Sequence, residues 1–167
     1  MISAWRSGWR WLPLSLLLIV ADQWTKGVVE ARFALGESLP VWFWFDLTRL
    51  HNPGAAFSFL AGQDGWQVSF LSGLAAVVGV ALVVWLRSLD ARRDLMLCGA
   101  LSLVLAGAIG NLFDRIEHGY VVDFLHLHWN GAYFPAFNVA DSVITVGAIL
   151  LLLDAVRDAR AGGRRSS

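Results

Sequence analysis

Two stretches of this chain run without any Asp, Glu, Lys or Arg for about the length a helix needs to cross a bilayer. One is Gly65 to Leu86, between Asp64 and Arg87, and the other is Leu95 to Phe113, between Asp94 and Asp114. Crossing ~30 Å of hydrocarbon takes ~20 mostly apolar residues, because a helix rises ~1.5 Å per residue. Two weaker candidates flank them. The first runs from Trp11 to about Val29, with Asp22 and Lys26 near its far end; the last runs from about Phe137 to Val156, with Asp141 near its start and Asp154 near its finish. Composition agrees: 57% of residues are hydrophobic and 16% charged, against ~45–50% and ~25% for soluble domains. The chain reads as an all-α membrane protein, one integral membrane domain over residues 1–167. Its four transmembrane helices lie at about 11–29, 66–86, 95–113 and 137–156, with outer segments at about 30–65 and 114–136. The N-terminal run also has the form of a secretory signal, but no small-x-small cleavage site follows it.

Basic residues set the direction of insertion. With both termini inside, Arg6, Arg10, Arg87, Arg92, Arg93, Arg157, Arg160, Arg164 and Arg165 are cytoplasmic, and only Lys26, Arg32, Arg49 and Arg115 are outside. This places all four histidines and most of the acids at the outer face, where chemistry is expected. Equal numbers of basic and acidic residues, 13 each, leave no excess charge for a nucleic-acid backbone. A single cysteine, Cys98, excludes an intrachain disulfide and a multi-cysteine metal site. Ser102, Ala106 and Gly110 repeat at four-residue spacing on the third span, a small-residue face suited to a close helix neighbour.

The first outer segment contains Leu39-Pro40-Val41-Trp42-Phe43-Trp44-Phe45-Asp46-Leu47-Thr48-Arg49-Leu50, rich in the aromatic and β-branched residues that favour a pleated surface. It reads as a short strand pair or sheet on the membrane, either a simple aromatic anchor or a platform for a lipid-attached substrate. Asn52-Pro53-Gly54 after it is a turn. The second outer segment carries Asp114-Arg115, Glu117, His118, Asp123, His126 and His128, the densest polar stretch in the chain.

Ionisable groups near the bilayer are costly unless paired or hydrated. Asp22 and Lys26 stand four apart on one helix face, acid first, the favourable order for an ion pair. Asn138 and Asp141 have the spacing of a capping box. Asp123, flanked by Val122 and Phe124, does not resemble a solvated surface acid. Two carboxylates brought close share a proton, so one can accept a proton from water while the other polarises a peptide carbonyl. Spacing alone does not show that Asp123 and Asp141 meet. His118, His126 and His128 are of the type that binds metal, but no HExxH motif or cysteine partner accompanies them, and no metal or cofactor is expected. The alternative to hydrolysis is a small proton- or ion-conducting transporter, with Asp22, Asp123 and Asp141 along its path.

Five blocks, in order, resemble the lipoprotein signal peptidases (signal peptidase II), aspartic proteases of the bacterial cytoplasmic membrane. They are Asp22-Gln23-Trp24-Thr25-Lys26, Asn52-Pro53-Gly54-Ala55-Ala56-Phe57-Ser58, Gly107-Ala108-Ile109-Gly110-Asn111-Leu112-Phe113-Asp114-Arg115, Gly119-Tyr120-Val121-Val122-Asp123-Phe124 and Phe137-Asn138-Val139-Ala140-Asp141-Ser142. Ala106, where a second glycine is often found, and Pro53 after Asn52 depart mildly from the pattern. The resemblance implies a four-helix bundle with an outer, periplasmic-side β-cradle and a short interfacial helix. It makes Asp123 and Asp141 the catalytic pair, with Asp22, Lys26, Asn52, Gly54, Asn111, Arg115, Asn138 and Ala140 as supporting residues. The implied substrate is a diacylglyceryl-modified prolipoprotein, cut just before the lipidated cysteine by a monomeric enzyme within membrane lipid.

Overall fold

The structure, a computed structural model, describes residues 6–54 and 66–163. Ala55 to Ser58 of the second block lie outside these residues. The short interfacial helix is not found among the described residues.

Among the described residues, four helices are long and apolar enough to cross a membrane: α1 (Leu12–Arg32), α2 (Trp66–Ser88), α3 (Leu95–His118) and α4 (Val139–Gly163). Pro13 in the first turn of α1 lacks only an N–H that has no partner there anyway. α3 outlasts its apolar stretch, so Asp114 and Arg115 are helical rather than part of an outer loop. Charge does not end this helix; Gly119 does. It adopts the left-handed conformation at φ 77° and donates its N–H to the Arg115 carbonyl, a common helix terminator.

At one end of the bundle lies a single antiparallel sheet in the order β1 (Ser38–Trp42), β2 (Phe45–Asn52), β3 (Val121–Trp129), β4 (Ala132–Tyr133). The expected aromatic pair, β1 and β2, is present. The sequence reading missed β3 and β4, which come from the second polar segment. Their hairpin turns on Asn130-Gly131, both at positive φ, the strongest short-range hairpin signal. In the β2–β3 register Leu50 faces Asp123 and Asn52 faces Val121. Phe137 then pairs with β3 by donating to the Leu125 carbonyl and accepting from the Phe124 and Leu125 amides, which delivers the start of α4 to the sheet.

α3 is the central helix, with α1, α2 and α4 packed around it. Lipid tails are as apolar as leucine, so close backbone approach and polar contacts must hold such a bundle together. The small face of α3 does so: Ser102, Ala106 and Gly110 are buried, and the Ser15 hydroxyl donates to the Ser102 carbonyl at 2.9 Å. A methyl group at Gly107 would strike the Ala140 carbonyl and Ile144; one at Gly147 would lie 2.7 Å from Val104 and 2.8 Å from the Ala100 carbonyl.

At the end opposite the sheet, a 3-10 turn (Gly8–Trp11) clasps the α2–α3 connection. Arg6 pairs with Asp90 at 2.9 Å, the Gly8 amide donates to the Leu89 carbonyl at 2.9 Å, and the Trp9 indole donates to the Val83 carbonyl at 2.9 Å. Gly8 abuts the Leu86 carbonyl too closely for any side chain.

Gly107→Ala is expected to lower stability by about 1–3 kcal/mol through overpacking. Gly73→Ala, on an exposed stretch of α2 where an added methyl meets nothing within 4 Å, should instead stabilise by a few tenths to ~1 kcal/mol. Thermal unfolding of the two variants in one detergent distinguishes these outcomes.

Candidate active site

Among the described residues, Lys26 is the one cation sealed inside the sheet end, with 3% of its side chain exposed. Its ammonium reaches three acceptors: Asp22 Oδ2 at 2.7 Å, Asp114 Oδ2 at 2.9 Å and Asn111 Oδ1 at 3.1 Å. Three donors therefore meet three acceptors, the condition for burying such a charge tolerably. The expected Asp22–Lys26 pair is thus half of a larger arrangement. Asp22 Oδ1 accepts from the Ala140 amide at 2.8 Å, a buried helix N-terminus donor with no partner in its own helix, met by a carboxylate from another. Asp114 accepts from the Val122 amide at 3.0 Å. Gln23 donates to Asp114 at 2.7 Å and to the Gly110 carbonyl at 3.1 Å. One charge cluster thereby ties α1, α3, α4 and β3 together.

Asn138 opens α4 and performs two tasks. Its side-chain carbonyl accepts from the Asp141 amide at 2.9 Å while Asp141 Oδ2 accepts from the Asn138 amide at 3.3 Å, the reciprocal bonding of a capping box. Its Nδ2 also donates to Asp123 Oδ1 at 2.8 Å and lies 3.2 Å from both Asn111 Oδ1 and the Val122 carbonyl. Asp123 Oδ2 accepts from Asn52 at 2.9 Å. Asn52 is itself oriented by the Gly54 amide, which donates to Asn52 Oδ1 at 2.9 Å, an Asx turn with Gly54 at φ 100°. Asp141 Oδ1 accepts from Asn111 at 2.7 Å. Arg115 donates to the Asn111 carbonyl at 3.2 Å, one turn away on α3.

All of Asp22, Lys26, Asn52, Gly54, Asn111, Arg115, Asn138 and Ala140 therefore connect to Asp123 and Asp141 within one network. The asparagines are its links: Asn138 touches both carboxylates, and Asn111 joins Asp141 to Lys26. Asp123 is 2% exposed. Burial raises its pKa to about 7, and the nearby Asp141 charge adds to the rise against the Asn52 and Asn138 hydrogen bonds. Among the described residues Asp123 and Asp141 form no ion pair, whereas Asp22 and Asp114 share Lys26. Asp123 therefore keeps its proton to a higher pH than a solvated carboxyl does.

Gln23 and Asp114 were present in the quoted blocks without an assigned role. Helical spacing carries their signal: Gln23 is three residues before Lys26, and Asp114 is three beyond Asn111. Arg49 was missed altogether. It donates to the Glu30 and Phe33 carbonyls at the end of α1 and to the Glu30 carboxylate at 2.8 Å, anchoring β2 beside Asn52. The histidines scatter. His128 bonds Asp46 at 3.1 Å, His126 and His128 both pack on Tyr133, and His118 lies on Tyr120. No group of three or more metal-type ligands converges among the described residues. The Ser142 hydroxyl donates to the Asn138 carbonyl at 2.8 Å, a helix contact rather than a nucleophile's setting. Trp44, Leu127, His128, Trp129, Ala132 and Phe134 line an open pocket of about 420 Å³ on the sheet.

The sequence model of the family described as signal peptidase (SPase) II matches residues 14–157. A lipoprotein signal peptidase of Pseudoalteromonas translucida is 51% identical over 152 residues, 91% of each chain. One of Acinetobacter baylyi is 46% identical over 144 residues, 86% of this chain and 80% of that one. Two solved structures, each described as a bacterial membrane enzyme, share the fold. One has a TM-score of 0.78 at 32% identity, covering 90% of this chain and 89% of its own; the other has 0.78 at 33%, covering 89% and 94%. With the family matched across all four apolar helices and the polar network between them, the chain belongs to the signal peptidase II family, peptidases that process lipoproteins in bacterial membranes.

Proposed function

We propose that this protein is an aspartic endopeptidase that removes the signal peptide from diacylglyceryl-modified prolipoproteins, cutting just before the lipidated cysteine. The observation that carries the reading is the pair Asp123 and Asp141: two carboxylates from different elements, both on Asn138, neither neutralised by an ion pair among the described residues. The ionised member accepts a proton from water as the water oxygen attacks the scissile carbonyl. The protonated member donates to the carbonyl oxygen as charge develops there, and a proton then passes to the departing amine. Asn52, Asn111 and Asn138 hold the carboxylates at fixed angles, so little reorganisation is left for the reaction itself.

The excess of arginines at the end opposite the sheet supports both termini being cytoplasmic and the site facing the outer side of the inner membrane. The exposed rings of Trp42, Phe43, Trp129 and Phe134 then lie at headgroup depth as a periplasmic-side cradle. A substrate anchored there by its lipid presents the scissile bond to the site without a three-dimensional search. A single copy of the chain supplies every group this mechanism uses.

The direct test is cleavage of a diacylglyceryl-modified prolipoprotein by purified protein, followed by gel mobility. Asp123→Asn and Asp141→Asn are each expected to lose at least ~10²–10⁴-fold in rate while melting as folded proteins. Full-rate cleavage by either variant would remove that residue from the chemistry.

Acidity gives a second test. The unfolded chain ionises Asp123 near 3.8, and the folded chain keeps the proton until about 7. Between those values the folded state binds more protons, so stability falls as pH rises and levels off above 7. Asp123→Asn lacks this contribution. The difference in melting temperature, variant minus wild type, should therefore grow between pH 4 and 7, towards a ceiling on the order of 4 kcal/mol in stability. A difference that is flat with pH would mean that Asp123 ionises alike in both states. Cleavage by wild type should likewise decline on the alkaline side of pH 7.

A further inference from the structure

α1 and α2 both pack on α3 but scarcely on each other, which leaves an apolar groove of about 530 Å³ between them. Its walls are Leu12 to Ile19 of α1 and Ala76 to Val84 of α2, and its floor is Leu105, Ile109 and Leu112 of α3. Ser15 is the one hydroxyl in the lining, and it is already spent on the Ser102 carbonyl. The groove therefore asks for hydrocarbon. It is separate from the network described above, since Gly107, Gly110 and Asn111 of α3 point towards α4 and α1.

Each wall contributes about 11–12 Å of helix at ~1.5 Å per residue, and an open apolar slot of that length takes a hydrocarbon chain lying along it. Charge narrows the choice of occupant. At the clasp end, Trp9 donates to the Val83 carbonyl, and Val83 itself lines the groove. The exposed Arg87 guanidinium stands 5.4 Å from the Trp9 ring centroid, with Arg92 and Arg93 exposed on the same connection. At the sheet end Lys26 and Arg115 are turned into the network instead and Arg49 is paired with Glu30, which leaves Arg32 as the exposed cation there among the described residues.

We propose that this groove is a binding site for an anionic glycerophospholipid from the leaflet at the arginine-rich end. One acyl chain lies between α1 and α2, and the headgroup phosphate rests on Arg87. A basic pocket between helices at that face is the kind of site that selects acidic headgroups. The bound chain completes the packing that α1 and α2 do not supply to each other, and the inference stands apart from the peptidase reading.

The test is native mass spectrometry of protein purified with equal parts of phosphatidylglycerol and phosphatidylcholine. Wild type is expected to retain phosphatidylglycerol about fivefold over phosphatidylcholine, the ratio one arginine near the headgroup supplies. Arg87→Gln should erase the preference while lipid is still retained, and Ala76→Trp, which fills the groove, should lower retention of both lipids. If Ala76→Trp does not fold, Val80→Phe serves for the same purpose. Equal retention of the two lipids by wild type, or a preference untouched by Arg87→Gln and by the groove-filling variant, overturns the proposal. So does a groove-filling variant that keeps its phospholipid and loses binding of the lipidated substrate, since the groove would then belong to the substrate.

Discussion

Everything at the sheet end hangs on the Lys26 ammonium. A lone cation buried there would be costly by several kcal/mol, and the structure meets that cost by converging three side chains from two helices on it. Asp22 comes from its own helix, Asp114 and Asn111 from α3, and the two acids then reach two further elements. Asp22 holds the Ala140 amide of α4, and Asp114 holds the Val122 amide of β3. The two backbone amides so fixed lie next to Asp141 and Asp123. The charge cluster is thus a positioning device one residue removed from the carboxylates it serves. Breaking it by removing Lys26 alone would leave two buried acids unpaired, the more damaging kind of change.

Asn138 shows how a local structural role and a functional one coincide. As a helix N-cap it needs a side-chain oxygen for the α4 amides, and its oxygen accepts from the Asp141 amide. The amide nitrogen is left over, and it points to Asp123. An aspartate in this place would cap equally well but would bring a third carboxylate with no hydrogen to donate. Serine would cap and reach neither Asp123 nor Asn111. Asparagine satisfies both demands, and so the capping-box and catalytic readings of Asn138 and Asp141 do not compete.

The spans were legible because bilayer thickness imposes a length on them, and the small face of α3 because helical periodicity exposes it. Their ends were less so. Asp114 to His118 look like a loop by charge, yet the helix continues to Gly119, since a buried lysine and a strand amide make Asp114 a core residue. Strands β3 and β4 were hidden by the polar density of residues 114–136, although Asn130-Gly131 announced a hairpin. The meeting of Asp123 with Asp141 was not readable from spacing. It depends on the register of β3 against β2 and on Phe137 pairing with Leu125, long-range facts that no local pattern carries. Arg49 escaped for a related reason: its partners at the end of α1 are distant in sequence and mostly backbone carbonyls.

The buried acids divide into two classes by what surrounds them. Asp22 and Asp114 share a cation and each accepts from a backbone amide. Asp123 and Asp141 receive hydrogen bonds from asparagines instead. An amide donor orients a carboxylate without neutralising it, so burial and mutual repulsion are left to decide the proton count. Asn111, with its oxygen on Lys26 and its nitrogen on Asp141, stands between the cation and that carboxylate. It passes position from the charge cluster to Asp141 and withholds the charge.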